Sequence, residues 1–169
     1  VALIVENGSG VADAESYASV AYCTTYHAAR GNAAWASLAS DAIREQCLRK
    51  ATDYMVQVYR SSWRGFRKLT TQSLDFPRDS MLVDSGTQSY YLENTVVPTE
   101  VKNACAEFAL KSSAEELYPD QERRVLEETV GPITTKYEPF SAQKKSYSAI
   151  EAMIAPYLNL QGVNVRLVK

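Results

Sequence analysis

The stretch DAIREQCLRKATDYMVQVY, Asp41–Tyr59, decides the class of fold. Ile43, Cys47, Ala51, Tyr54/Met55 and Val58 recur at spacings of three and four, the period of one face of an α-helix. Arg44, Arg49, Lys50 and Asp53 fall on the opposite face, as in a helix with one wet side. Ser40-Asp41 supplies a capping hydroxyl and a carboxylate for the positive end of the dipole, so the helix is predicted to run from about Asp41 to Tyr59.

Upstream, Ala2–Val5 reads as a short strand and Asn7-Gly8-Ser9-Gly10 as a turn. Ser19 caps a helix over about Val20–Arg30, which Gly31-Asn32 stops. Val20, Cys23, Tyr26 and Ala29/Arg30 share a face there, placing Cys23 in the core. Ala33–Leu38 adds a turn anchored by Trp35. Downstream, Trp63-Arg64-Gly65-Phe66-Arg67 reads as a loop with two aromatic anchors, and Thr71–Phe76 as a helical turn ended by Pro77. Met81–Val97 is expected to be a long loop with weak strand pairing, of the sort that is functional or ordered by a partner. Pro98 opens a further helix, with Val101, Ala104/Cys105, Phe108 and Ser112 inward and Pro119 at its end.

Arg124–Tyr137, rich in Val, Thr and Ile, is strand-like and interrupted by Gly131-Pro132. Ser146 or Ser148 caps a last helix with Ile150, Met153/Ile154 and Tyr157/Leu158 inward. Past Gly162, Val163–Lys169 alternates in β fashion. The fold class is therefore mainly α: a small helical bundle with a minor β-hairpin or strand pair near 124–138, and an extended C-terminal tail. One domain over 1–162 and a docking tail over 163–169 are expected.

Composition narrows the function. The 169 residues suit one domain of ordinary size. No apolar run approaches the roughly 18 residues that cross a bilayer, so no membrane partner is expected. Val1–Val5 has no basic segment before it, so a signal peptide is not expected. Three scattered cysteines, Cys23, Cys47 and Cys105, make no disulfide framework and suggest a reducing compartment. A single histidine excludes, within one chain, any zinc or iron site that needs two. Neither metal nor cofactor is expected.

Charge is uneven although the net is only −2: residues 1–43 carry −3, 44–68 carry +5, 69–138 carry −7 and 139–169 carry +3. Only the basic stretch, with Arg44, Arg49, Lys50, Arg60, Arg64, Arg67 and Lys68, can attract phosphates. Single-stranded nucleic acid is held by cations interleaved with stacking aromatics. Tyr59-Arg60, Trp63-Arg64 and Phe66-Arg67 have that arrangement, making Arg60, Trp63, Arg64, Arg67 and Lys68 the candidate nucleic-acid contacts. The alternative reading pins Trp63 and Phe66 to the core and leaves the arginines in water.

Other motifs are bland. Asn7-Gly8-Ser9-Gly10 lacks the spacing of a phosphate loop, and the pairs Glu115-Glu116 and Glu127-Glu128 lack a calcium-loop pattern. His27 has only Cys23, four residues back, as a neighbour for catalysis. It reads as an ordinary helix-terminal histidine. Eleven tyrosines suit an interface. The alternating tail can add a strand to another protein's sheet edge, or pair at home with Leu3–Val5 or Ile133–Tyr137. The residues alone thus describe an interaction protein and not an enzyme.

Several segments together resemble the tailed-phage head–tail connector (head-completion adaptor) family. They are Ala2–Gly10 with Ser16-Tyr17, Tyr26–Asn32 with Trp35, Trp63-Arg64-Gly65, Phe76-Pro77-Arg78, Val97-Pro98 with Val101-Lys102 and Ala104, Val130–Ile133, Ala155–Leu158 and Val165–Val168. The likeness runs in order over nearly the whole chain. Some members of that family carry a DnaT-like single-stranded-DNA-binding label. The resemblance implies a structural virion protein at the head–tail interface, in the host cytoplasm during assembly. It would form a ring, expected to be dodecameric, beneath the portal, extending the DNA channel and seating a stopper or tail-completion protein. DNA would pass without sequence-specific binding. A ring needs two different complementary faces per subunit, which the +5 and −7 regions offer. The tail residues Val163, Val165, Arg166, Leu167, Val168 and Lys169 are then the portal-docking candidates. Val130, Gly131, Pro132, Ile133 and Tyr137 are those for a subunit or partner interface. The alternative function is single-strand binding through residues 59–68.

Overall fold

The computed structural model describes residues 2–83, 88–119 and 145–159, and the backbone alone of 84, 127–130 and 133–136. The helices are α1 Val20–Ala28, α2 Ala33–Ala36, α3 Asp41–Tyr59, α4 Thr99–Ser112 and α5 Ser148–Ile154, the last continuing into a 3-10 turn over Ala155–Tyr157. Three antiparallel strand pairs accompany them: β1 Phe66–Arg67 with β2 Arg78–Asp79, β3 Leu82–Asp84 with β4 Ser89–Tyr91, and β5 Glu127–Val130 with β6 Ile133–Lys136. The fold is mainly α with minor β, as expected.

Helix α3 has the expected bounds, and the Ser40 hydroxyl accepts from the Ile43 N–H at 3.4 Å. Ser19 caps α1 by accepting from the Tyr22 N–H at 3.1 Å. The core forms where α3 lies along α4, with α1 and α5 packed against α4. Small residues on α4 (Ala104, Cys105, Ala106, Ala109) alternate with Val101 and Phe108, so the backbones approach closely around one large ring. Across from them α3 buries Leu48, Ala51, Thr52, Tyr54 and Met55. Aromatic rings then carry the core sideways: Tyr54–Phe108 at 4.8 Å, Phe108–Tyr147 at 5.5 Å, Tyr59–Trp63 at 5.9 Å, Trp63–Phe76 at 5.0 Å and Phe76–Tyr17 at 6.1 Å. Each such pair adds about 0.5–1.5 kcal/mol beyond its buried area.

The N-terminal segment is organised around one acid. Glu6 is buried, and its carboxylate accepts from the N–H groups of Gly8 (2.8 Å), Gly10 (3.0 Å) and Val11 (2.8 Å). Gly8 has φ +99°, and a Cβ there would lie 1.9 Å from the Thr95 carbonyl oxygen, so only glycine fits. Instead of a strand over Ala2–Val5 there is one parallel bridge, Val5 to Ser16.

Other expectations are corrected. Thr71–Phe76 is a series of bends and holds no helical turn. Gln72 explains why: its buried amide donates to the Leu74 and Pro77 carbonyls at 2.9 and 3.1 Å and accepts from the Leu69 N–H at 2.9 Å, replacing backbone pairing with side-chain pairing. Helix α4 begins at Thr99, with Pro98 as its N-cap, and ends at Ser112, seven residues before Pro119. Neither Ser146 nor Ser148 caps α5. Glu151 reaches back to the Tyr147 N–H at 3.4 Å, and Ser146 Oγ donates to the same carboxylate.

Candidate nucleic-acid interface

The basic segment leaves the C-terminus of α3 and wraps a loop that the chain builds from its own cations. Arg60, at the C-cap, donates from Nε to Asp75 Oδ1 at 2.9 Å and from Nη2 to the Ser73 carbonyl at 3.3 Å. Asp75 is fully buried, while 48 % of the Arg60 side chain stays exposed. The Asp75 N–H donates to the Tyr17 hydroxyl at 3.0 Å. Burial pushes the Tyr17 hydroxyl far up from its ordinary pKa, so it stays neutral beside the carboxylate.

Arg78 is the centre of this loop. Its buried guanidinium donates to three carbonyls in different directions: Nε to Arg64 at 2.6 Å, Nη2 to Gly65 at 2.7 Å and Nη1 to Asp75 at 3.1 Å. Burial lowers the Arg78 pKa, opposed first by the nearby Asp75 charge. The Trp63-Arg64-Gly65 and Phe76-Pro77-Arg78 motifs, both noted in the sequence, are therefore two halves of one clasp. Gly65 must be glycine: its φ is +66°, and a Cβ would meet the Asp79 carbonyl oxygen at 2.4 Å and the Met81 nitrogen at 2.9 Å.

The five candidate contacts separate accordingly. Trp63 is 3 % exposed and packed between Tyr59 and Phe76, so its ring is a core anchor and not a stacking surface. Arg60 is engaged with Asp75. Arg64 is half-buried and donates from Nε to the Leu158 carbonyl at 3.1 Å and from Nη1 to the Leu82 carbonyl at 3.2 Å. Arg67 and Lys68 are half-buried on and beside β1. Among the described residues no carboxylate forms an ion pair with Arg64, Arg67 or Lys68; those pairs go to Arg44, Arg49, Arg60 and Lys145. The expectation that Phe66 pins the loop is overturned. Phe66 is 74 % exposed, because β1 pairs it with Asp79 on a two-residue ladder with no further layer over its ring. The strand pairing β3–β4 lay only weakly in the sequence, and it presents Tyr91, 69 % exposed, opposite Leu82. The signal for it was Leu82-Val83 and Tyr90-Tyr91 straddling Asp84-Ser85-Gly86.

A concavity of about 630 Å³ lies away from this loop, between α3 and the end of α4, lined by Lys50, Asp53, Tyr54, Glu115, Glu116 and Tyr118 among others. Its carboxylates outnumber its lysine, which disfavours an anionic ligand. His27 stands in the last turn of α1, as expected of a helix-terminal histidine. It is 1 % exposed, with Nε2 3.0 Å from the Ala106 carbonyl oxygen and Nδ1 3.1 Å from the Asn32 amide. Both nitrogens are thus engaged away from Cys23, whose thiol is buried and shifted strongly upward. No group of residues suited to a metal ion occurs among the described residues. No helix among them is long and apolar enough to cross a membrane.

Val130 and Ile133 are the last and first residues of β5 and β6 and pair with each other. Gly131, Pro132, Tyr137 and the tail Val163–Lys169 lie outside the described residues.

Residues 1–169 match the model of a family described as "putative DnaT-like ssDNA binding protein", and the chain belongs to that family. No curated protein and no solved structure matches it.

Proposed function

We propose that this protein binds single-stranded DNA without reading its sequence, through β1 and the loop that precedes it. Phe66 is the stacking residue, and Arg64, Arg67 and Lys68 meet the phosphates. The observation that carries this reading is Phe66, held out of the core three residues after a buried tryptophan and bordered by cations that form no ion pair among the described residues. An aromatic face accepts any base, and cations beside it follow the backbone. The family description supports the same ligand class. The chain acts by binding and not by catalysis, and needs no cofactor.

The test is an anisotropy titration of a labelled single strand at low and high salt. Phe66→Ala is expected to weaken binding by roughly 1–3 kcal/mol. Replacing both Arg67 and Lys68 by Ala is expected to flatten the dependence of log K on log salt by about 1.4, two phosphate contacts at roughly 0.7 each. No binding at low salt, or binding indifferent to all three residues, overturns the proposal. Arg60→Ala is unsuitable for this purpose, because it strands a buried carboxylate and disturbs folding before it disturbs DNA.

A second reading, the head–tail connector, is favoured by the ordered run of shared segments and by the exposed apolar side chains Phe66, Leu69, Leu82 and Tyr91. In it the subunits form a ring beneath the portal, residues 163–169 dock on the portal and the strand pair around 130–137 meets a neighbour or a stopper. The family description speaks for single-strand binding more directly. Co-sedimentation with portal-bearing, DNA-filled heads, imaged by electron microscopy, separates the two: a ring at the portal vertex together with weak single-strand binding would make the connector the function.

A further inference from the structure

We infer that Tyr91 is a second base-stacking position and that one DNA strand crosses both small ladders, from Phe66 on β1 to Tyr91 on β4, with the Arg64 guanidinium between them. This rests on the single-strand reading above and extends it to Met81–Val97, a segment that holds no basic residue.

The two ladders are joined. Gly65, immediately before Phe66, lies so close to Met81, immediately before Leu82, that a Cβ would fall 3.0 Å from the Met81 Cα. The Leu92 N–H, one residue past Tyr91, donates to the Met81 carbonyl at 2.9 Å. Arg64 Nη1 donates to the Leu82 carbonyl, and Leu82 is the cross-strand partner of Tyr91. Because Met81 and Leu92 form a hydrogen-bonded pair, Leu82 and Tyr91 are the non-bonded pair next to it, and the Leu82 carbonyl points away from β4. The cation therefore sits on the far edge of β3, about two strand spacings from the tyrosine backbone. Phe66 and Tyr91 are the most exposed large apolar side chains among the described residues.

Alternation separates Tyr91 from its neighbour. Tyr91 shares a face with Leu82, which is itself exposed, whereas Tyr90 lies opposite buried Val83 and interacts with the Tyr157 hydroxyl. Tyr90 is thus a margin of the core, and Tyr91 is not. Charge favours a nucleic acid as the occupant. Among the described residues Arg64, Arg67, Lys68 and the buried Arg78 form no ion pair. The one carboxylate on the β1–β2 ladder, Asp79, already accepts from the Asn94 amide. Asp75 is buried behind Arg78, and Glu93 is the exposed acid nearest Tyr91 in the chain. Duplex DNA keeps its bases stacked internally, so paired aromatic positions select a single strand.

The experiment is a titration of oligothymidylate with the full chain and four variants: Phe66→Ala, Tyr91→Ala, Tyr91→Phe and Tyr90→Ala. Tyr91→Ala is expected to raise Kd by about fivefold to a hundredfold, Tyr91→Phe to keep the wild-type value, and Tyr90→Ala to change it little. Absence of binding by the wild-type chain would remove the single-strand reading and this inference together. Binding that weakens with Phe66→Ala but not with Tyr91→Ala would remove this inference alone. So would a Tyr91→Ala protein that sediments as a different oligomer with unchanged DNA affinity, since Tyr91 would then belong to a protein contact. Photocrosslinking of an iodouracil-bearing strand to the unsubstituted protein gives an answer free of any folding defect. An adduct at Tyr91 is expected, and adducts confined to Phe66 overturn the proposal.

Discussion

Replacing Arg78 by methionine isolates the clasp that shapes the candidate interface. The guanidinium makes three donations, at 2.6, 2.7 and 3.1 Å, to carbonyls that are otherwise turned inward. Hydrogen bonds from a charged donor contribute roughly 1.5–3 kcal/mol each, so their gross loss is about 4.5–9 kcal/mol. Against this stands the cost of burying a cation, several kcal/mol, which methionine avoids. The net expectation is a loss of about 2–4 kcal/mol. At a urea m-value of about 2 kcal/mol/M, the unfolding midpoint falls by about 1–2 M. Arg78→Lys should fall between, because one ammonium cannot reach three diverging carbonyls that a planar fork spans. Urea denaturation followed by tryptophan fluorescence reads the effect, with Trp63 seated beside the clasp. A loss below about 0.5 kcal/mol for Arg78→Met, within the ordinary range for surface changes, would refute the claim that the guanidinium holds the loop.

Gly65→Ala should destabilise by more than about 2 kcal/mol, since it combines positive φ with a collision against the Asp79 carbonyl oxygen. Gly31→Ala, also at positive φ (+70°) but with nothing within 4 Å, should lose only about 1 kcal/mol in the same thermal melts. Glu6→Gln should lose about 1–3 kcal/mol in urea denaturation, because its amide turns a donor toward one of the converging N–H groups. Stability should fall as pH rises above about 10, where the unfolded chain ionises its tyrosines. Burial holds Tyr17, Tyr59 and Tyr157 well above that value and Tyr26 at about 12. The native state then keeps protons that the unfolded state releases, so the slope of stability against pH is negative there. Tyrosinate absorbance measured alongside circular dichroism should rise together with unfolding, and ionisation of all eleven tyrosines before any loss of ellipticity would contradict it.

Helical parts of the fold were legible because their signals are local. The three-and-four spacing in Asp41–Tyr59 and the hydroxyls of Ser19 and Ser40 act within one or two turns, and both caps are made as expected. Residues 60–97 were not legible in the same way. There the backbone is satisfied by side chains far along the chain: Arg78 reaches Arg64 and Gly65, Arg60 reaches Asp75, and Ser73 Oγ reaches Ala14 at 2.6 Å. No periodicity marks such pairings. The same segment explains the uneven reading of the site. Alternating aromatic and basic residues were visible, but which ring faces inward depends on Phe76 and Tyr59 for Trp63 and on a bare two-residue ladder for Phe66. His27 lies in the last turn of its helix as expected, but its burial was not legible: α2 returns Trp35 over it, with ring centroids 5.2 Å apart.

The turn at Asn7–Gly10 has a consequence for how this molecule meets phosphate. Successive backbone amides converging on one point form an anion receptor of the kind that phosphate loops use. Here the guest is covalently attached: the Glu6 carboxylate fills the receptor from within the same turn. The glycine-rich segment therefore works as an internal lock, fastening the start of the chain against Thr95, and the recognition of nucleic-acid phosphates falls to side-chain cations on the ladders.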